Sequence, residues 1–145
     1  MAIRSVVSYT APRSAFVTNV LIVSAYADFR DIYTFGLRHE GLWAEAIESR
    51  SEAEVVLRRM RPDAITFHLG HDESGWTDCA FLLKMAQPAP VILLTGWVHP
   101  DGRTARKAFE LGCAAFVIEP CVPDDLASII ERVITGERGI NWHRP

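Results

Sequence analysis

The sequence predicts an α/β fold built on a doubly wound parallel sheet with helices on both faces, and three observations carry that prediction. Five short apolar runs recur at intervals of about two dozen residues, the rhythm of repeated strand–helix units. The runs are mostly apolar throughout rather than alternating, as expected of strands covered on both sides. The segments between them place apolar residues at helical spacing. A chain of 145 residues is long enough for one domain with a proper core.

Composition narrows the class further. At 49% hydrophobic and 23% charged the chain has the make-up of an ordinary globular protein. The net charge of −3, with no basic block, gives no reason to expect nucleic-acid binding. No apolar run reaches membrane-spanning length, and the first residues lack the continuous apolar stretch of a signal peptide. A cytoplasmic location is the expectation. Cys79, Cys113 and Cys121 are odd in number and form no C-x-x-C pair, so they are read as small, buried, reduced thiols.

Taken in order, residues 1–18 have little periodicity and are read as an N-terminal arm, in which Ile3–Tyr9 has the make-up of an edge strand or a docking segment. The strands follow at Val20–Val23, Leu42–Ile47, Ala64–Phe67, Val91–Leu94 and Ala114–Ile118. In the first helical segment Phe29, Ile32, Tyr33 and Leu37 share one face. The second is expected to open on a capping box, Ser51 with Glu54, and to bury Ala53, Val56, Leu57 and Met60. Trp76, Cys79, Ala80 and Leu83 mark the third, and Ala105, Ala108 and Phe109 the fourth, which Gly112 should end in a left-handed cap. Pro123, Asp124 and Asp125 suit the start of the fifth, which buries Leu126, Ile129, Ile130 and Val133. Gly136 ends it, and residues 137–145 are read as a polar tail.

In open α/β sheets the functional groups gather beyond the carboxyl ends of the strands. His68 stands there, directly after Ala64–Phe67, with Ser24 after the first strand, Thr95 after the fourth and Glu119 after the fifth. These residue types admit three chemical readings. Ser24, His68 and Glu119 have the residue types of a hydrolase triad, but Ser24 lies in no Gly-x-Ser-x-Gly elbow. His68 and His71, with Asp72 and Glu73, have the residue types of a zinc site, but histidines three apart leaving a strand share no helix face. His68 as a phosphate acceptor would lack both a metal and a lysine. Flavin binding is not expected, because the loop Ser24–Asp28 has no glycine to cradle a phosphate.

Several phrases resemble one family, the receiver domains of bacterial response regulators. Arg61-Pro62-Asp63, four apolar residues and His68 resemble the third strand, which in that family ends in the phosphoacceptor aspartate. Ala27-Asp28-Phe29-Arg30 resembles the opening of the first helix, and Ser74-Gly75-Trp76 the start of the third. Pro90–Gly96 matches the fourth strand with its terminal threonine, and Leu111–Cys121 the fifth strand with the phrase that follows it. The resemblance spans residues 19–136 and implies five strands in the order 2-1-3-4-5.

It also implies what has been lost. Receivers hold a divalent metal with two acids after the first strand, and Ser24 and Ala25 stand there. The acceptor position is His68, and Glu119 replaces the lysine that pairs with the phosphoryl group. Thr95 is retained, and Phe116 holds the place of the aromatic switch residue, though a strand cap and a core side chain explain them as well. The resemblance further implies a cis peptide before Pro120, and a hydrogen bond or ion pair between His68 and Glu119.

The reading is therefore a stand-alone, degenerate receiver of two-component phosphorelay signalling that acts by protein–protein contact without phosphorylation. No catalytic residue, metal or cofactor is assigned. The expected partners are a sensor kinase, a response regulator, an output protein or a second copy of the chain, with no nucleic acid and no membrane. The expected interface is the fourth helix, fifth strand and fifth helix, with Arg103, Arg106, Lys107, Asp124, Asp125 and Glu131 providing charges of both signs.

Overall fold

Each strand of this protein alternates between the two sides of one sheet, and that alternation fixes where the functional residues point. The computed structural model describes residues 17–145. The N-terminal arm as far as residue 16, including Ile3–Tyr9, lies outside the described residues. The sheet comprises β1 (Asn19–Val23), β2 (Trp43–Ile47), β3 (Ala64–His68), β4 (Val91–Thr95), β5 (Ala115–Ile118) and β6 (Ile140–Trp142), in the order β2-β1-β3-β4-β5-β6. All five pairings are parallel. The helices are α1 (Ala27–His39), α2 (Arg50–Val56), α3 (Ser74–Met85), α4 (Arg103–Leu111) and α5 (Pro123–Ile134).

Two cores result. Val20, Ile22, Ile92, Leu94, Ala115 and Val117 pack with α1 and α5 on one side. Leu21, Val23, Ile65, Phe67, Val91, Leu93 and Phe116 pack with α2, α3 and α4 on the other. The strict period of two in β1, β4 and β5 is that of strands buried on both faces. Gly36 lets α1 approach α5, since a β-carbon there would meet the Pro123 ring at 2.4 Å.

The predicted order stands, and the structure adds a strand to it. Residues 137–145 are not simply a tail, because Ile140–Trp142 pairs with β5, Ile140 opposite Ala115 and Trp142 opposite Val117. Ile140 is buried, Asn141 is exposed, and Trp142 packs against the α1–α5 core. Gly136 and Gly139, at φ values of 110° and 74°, turn the chain back from α5 into this strand. Three residues are too few for their alternation to stand out in the sequence.

Three smaller expectations are corrected. The N-cap of α2 is Ser49, whose Oγ accepts from the Glu52 amide at 3.4 Å while Glu52 accepts from the Glu48 amide at 2.6 Å. The capping pair thus sits two residues before Ser51 and Glu54, because Glu54 already lies inside the helix, one turn from Arg50. Ile32 is 57% exposed, so the buried stripe of α1 is Phe29, Tyr33 and Leu37. In α3 the buried residues are Cys79 and Leu82, with Ala80 facing outward. The expected left-handed cap of α4 is present at Gly112, φ 113°.

Candidate functional site

Alternation along the strands brings three of the singled-out residues to the same side. Ser24 continues the parity of Val20 and Ile22, His68 that of Ala64, and Glu119 that of Ala115 and Val117, all on the α1–α5 face. There the side chains meet. Ser24 Oγ lies 2.9 Å from His68 Nδ1, and His68 Nε2 lies 2.9 Å from Glu119 Oε1. The imidazole stacks on Phe29 of α1, with centroids 3.9 Å apart and planes within 13°. Tyr26 flanks it at 5.4 Å.

Hydrogen-bond direction follows from the partners. The Glu119 carboxylate only accepts, so His68 Nε2 carries a hydrogen. In the neutral imidazole Nδ1 is then the acceptor, so the Ser24 hydroxyl, which itself accepts from the Tyr26 amide at 3.2 Å, donates to it. The result is a one-way chain from Tyr26 N–H through Ser24 and His68 to Glu119. Arg30 fixes its start by donating to the Ser24 carbonyl at 2.8 Å. Because Ser24 is 1% exposed and the side chains of His68 and Glu119 are 11% and 22% exposed, this pairing avoids a large desolvation cost.

The arrangement differs from that of a catalytic triad. The serine sits on Nδ1 and the acid on Nε2, and the serine oxygen is buried with both hydrogen-bonding roles taken. A nucleophile must reach a substrate. Ser24 does not.

The remaining residues lie elsewhere. Ala25 is exposed and offers only a methyl group. Thr95 is fully buried, and its Oγ1 accepts from the Trp97 amide at 3.0 Å. It follows Val91 and Leu93 onto the α4 side, as Phe116 does, so both face away from His68. The Glu119–Pro120 peptide is cis, and so is Gln87–Pro88, which the sequence did not single out. His71 turns to Trp97, with rings 4.5 Å apart, and Asp72 accepts from the Ser74 amide at 3.0 Å. Among the described residues no three His, Cys, Asp or Glu side chains stand where a metal ion would be held.

Around the site, burial pushes the Tyr33 hydroxyl well above its ordinary range, helped by the thiol of Cys121 and by Glu119, and Tyr33 donates to the Cys121 carbonyl. Burial likewise pushes the Cys121 thiol up to about 12. The partners that sequence reasoning missed are Tyr26, Phe29 and Arg30. Their signal was position, since the first turn of the helix after β1 must lie against the end of β3.

The candidate interface residues are all at the surface. Arg103 pairs with Asp101 at 2.8 Å, Arg106 donates to the Asp101 carbonyl at 3.1 Å, and Lys107 sits 4.7 Å over the Trp76 ring. Asp124 and Asp125 open α5, and Glu131 lies two turns further on, exposed. Between these helices the edge of the sheet is β6, not β5.

No protein-family model matches the chain. A response regulator from Thermotoga maritima superposes with a TM-score of 0.74 at 16% identity, covering 83% of this chain and all of that one. A signal receiver domain of a histidine kinase from Syntrophus aciditrophicus gives 0.69 at 28% identity, covering 83% of this chain and 92% of its own. The fold is that of a response-regulator receiver domain. In sequence, the receiver-fold chain is 24% identical over 109 residues to the DNA-binding response regulator MtrA of Mycobacterium tuberculosis and of Mycobacterium leprae. That match takes in 75% of this receiver-fold chain, which spans about half the length of the curated relatives it matches.

Proposed function

We propose that this chain is a receiver-type module of two-component signalling that works by protein–protein contact and without aspartyl phosphorylation. The observation that carries the reading is the locked His68. It occupies the position that the resemblance gives to the phosphoacceptor, and both ring nitrogens are bound, to Ser24 and to Glu119.

Transfer of a phosphoryl group needs a nucleophile and cations to neutralise charge on the oxygens. Here the nucleophile's place holds an imidazole already engaged on both edges. Ala25 has no side-chain oxygen for a metal, and the Ser24 hydroxyl is engaged with Tyr26 and His68. Glu119 brings a negative charge to the place where an incoming phosphoryl group would need a positive one. The hydrogen bond between Glu119 and His68 stands in for the lost carboxylate–lysine pair, with the acid now on the β5 side, holding the ends of β3 and β5 together.

The work of such a module is to bind a sensor kinase, a response regulator, an output protein or a second copy of itself, in the cytoplasm. No helix among the described residues is long and apolar enough to cross a membrane. A homodimer through α4 and α5 would include β6 at its centre, and opposing charge reversals at Arg106 and Asp124 test for it by sedimentation. Beryllofluoride with magnesium tests the central reading, because it mimics a phosphoryl group on an acceptor aspartate. Amide NMR spectra of the full chain should be unchanged by it. Shifts centred on His68, Thr95 and Phe116 would show that the site still takes a phosphoryl-like group.

A further inference from the structure

Helix α1 buries Phe29, Tyr33 and Leu37, and its opposite side carries an apolar pair of its own. Phe35 is 76% exposed and Ile32 57%, and at three residues apart their side chains adjoin. Four residues before Ile32 stands Asp28, and four residues after Phe35 stands His39, both exposed. Positions 28, 32, 35 and 39 thus alternate spacings of four and three, the seam that one helix presents to another in a coiled coil. The His39 ring lies parallel to that of Phe35, with planes within 13° and centroids 6.4 Å apart. Among the described residues no hydrogen bond or ion pair engages the side chain of Asp28 or His39.

The order of spacings, four-three-four, is the same read from either end, and that selects the occupant. Two copies of α1 laid antiparallel about a two-fold axis would set Ile32 against Phe35 of the second copy. The same operation sets Asp28 against His39 of the second copy at both ends. A parallel pairing would instead bring each Asp28 to its own counterpart. An imidazole N–H donates to a carboxylate whether or not the ring is charged, and opposed helix dipoles also favour the antiparallel arrangement. The other charges of α1 do not compete for these positions. Arg30 is turned to the Ser24 carbonyl and Arg38 to the Ala44 carbonyl and the Trp43 ring. Asp31 adds a second acid near the Asp28 end, and Glu40 is the C-cap, beyond the seam. The neighbouring α5 exposes Asp124, Asp125 and Glu131, whose like charges would confine the contact to the α1 ridge.

We propose that two copies of this chain associate through α1, antiparallel, with an Ile32–Phe35 centre and an Asp28–His39 hydrogen bond at each end. The proposal rests on the reading of the chain as an interaction module and names a second copy as the partner. It also moves the homodimer contact from the α4–α5 edge, where β6 lies, to the opposite end of the sheet, beside β2. The seam is about 16 Å long at 1.5 Å per residue, so the buried area is well below the ~1,600 Å² of a standard interface. The dimer is therefore weak, with a dissociation constant on the order of 100 μM.

The test is sedimentation equilibrium of the full chain, without phosphodonor, from about 10 μM to about 1 mM. Phe35→Arg, Asp28→Lys, and Asp28→Lys combined with His39→Asp are run in parallel, with Arg106→Glu on α4 as the control. All of these side chains are exposed, so the fold is retained. The parent mass should rise towards that of a dimer across the range. Phe35→Arg should weaken association at least about tenfold, and Asp28→Lys about threefold or more. The exchanged pair should recover most of what Asp28→Lys alone loses, and Arg106→Glu should behave as the parent. A monomer at about 1 mM would overturn the proposal. So would a dimer indifferent to Phe35→Arg, an exchanged pair no tighter than Asp28→Lys alone, or a dimer lost with Arg106→Glu, which would place the contact at α4 and α5. A phosphoryl adduct on the chain would overturn the phosphorylation-independent reading and leave the sedimentation result standing. A monomer removes only the α1 contact.

Discussion

His68 is the residue whose surroundings say most. A lone histidine after a buried strand reads equally well as a ligand, a base or a spacer. What decides among these is the occupancy of both ring nitrogens, at 2.9 Å each, together with the Phe29 ring under one face. The sequence made the His68–Glu119 pair legible, because both residues stand at strand ends where paired groups belong. The Ser24 link was not legible, since it depends on the rotamer that the Tyr26 amide holds. The predicted consequence is coupling. Ser24→Ala leaves the Tyr26 amide and His68 Nδ1 unmatched and should cost about 1–3 kcal/mol in denaturant unfolding. A double-mutant cycle of His68→Phe and Glu119→Gln should give a coupling of about 1 kcal/mol, and strict additivity would mean that the two do not act together. At the surface, the side-chain hydrogen bond from Arg103 holds the Asp101 carboxyl down at about 2. A lowered folded-state value stabilises above the unfolded one and is lost as pH falls, here between 3.8 and about 2. Asp101→Asn should flatten that acid limb, by a small amount because the pair is exposed.

At the scale of elements, strands buried on both faces announced themselves, and short or marginal ones did not. The runs at β1, β3, β4 and β5 are continuous enough to be read directly, whereas β6 is three residues between two turning glycines. The α2 cap was misplaced because Ser49, Ser51, Glu52 and Glu54 offer two overlapping capping patterns, and only the path from β2 chooses between them. If β6 is part of the fold, Ile140→Ala should cost about 2 kcal/mol, at the low end for a buried isoleucine because it sits at an edge. Amide exchange at Asn141 and Trp142 should then rise while that of β1 and β3 holds. Gly36→Ala tests the α1–α5 approach. Helix propensity favours alanine by about 1 kcal/mol, yet a contact of 2.4 Å with a proline ring outweighs it, so net destabilisation is expected.

For the whole molecule, the receiver fold was readable because its hydrophobic rhythm and its turn phrases agree across nearly the whole chain. The three thiols follow from the same packing. Cys79, Cys113 and Cys121 are all buried, and hydrogen bonding to Cys79 together with burial drives the Cys113 thiol far above its ordinary range. None should react with an aromatic disulfide reagent in the native state, and all three should react once the chain is unfolded. What the rhythm does not convey is activity, because the same scaffold carries function only through the groups at its strand ends. Those groups here hydrogen-bond to one another, and the proposal is that they take no phosphoryl group. Intact-mass spectrometry of the full chain after incubation with acetyl phosphate and magnesium tests this most directly. The account predicts a single unmodified mass at every time point, and a phosphoryl adduct that disappears on replacing His68 or a neighbour in its hydrogen-bonded chain would contradict it.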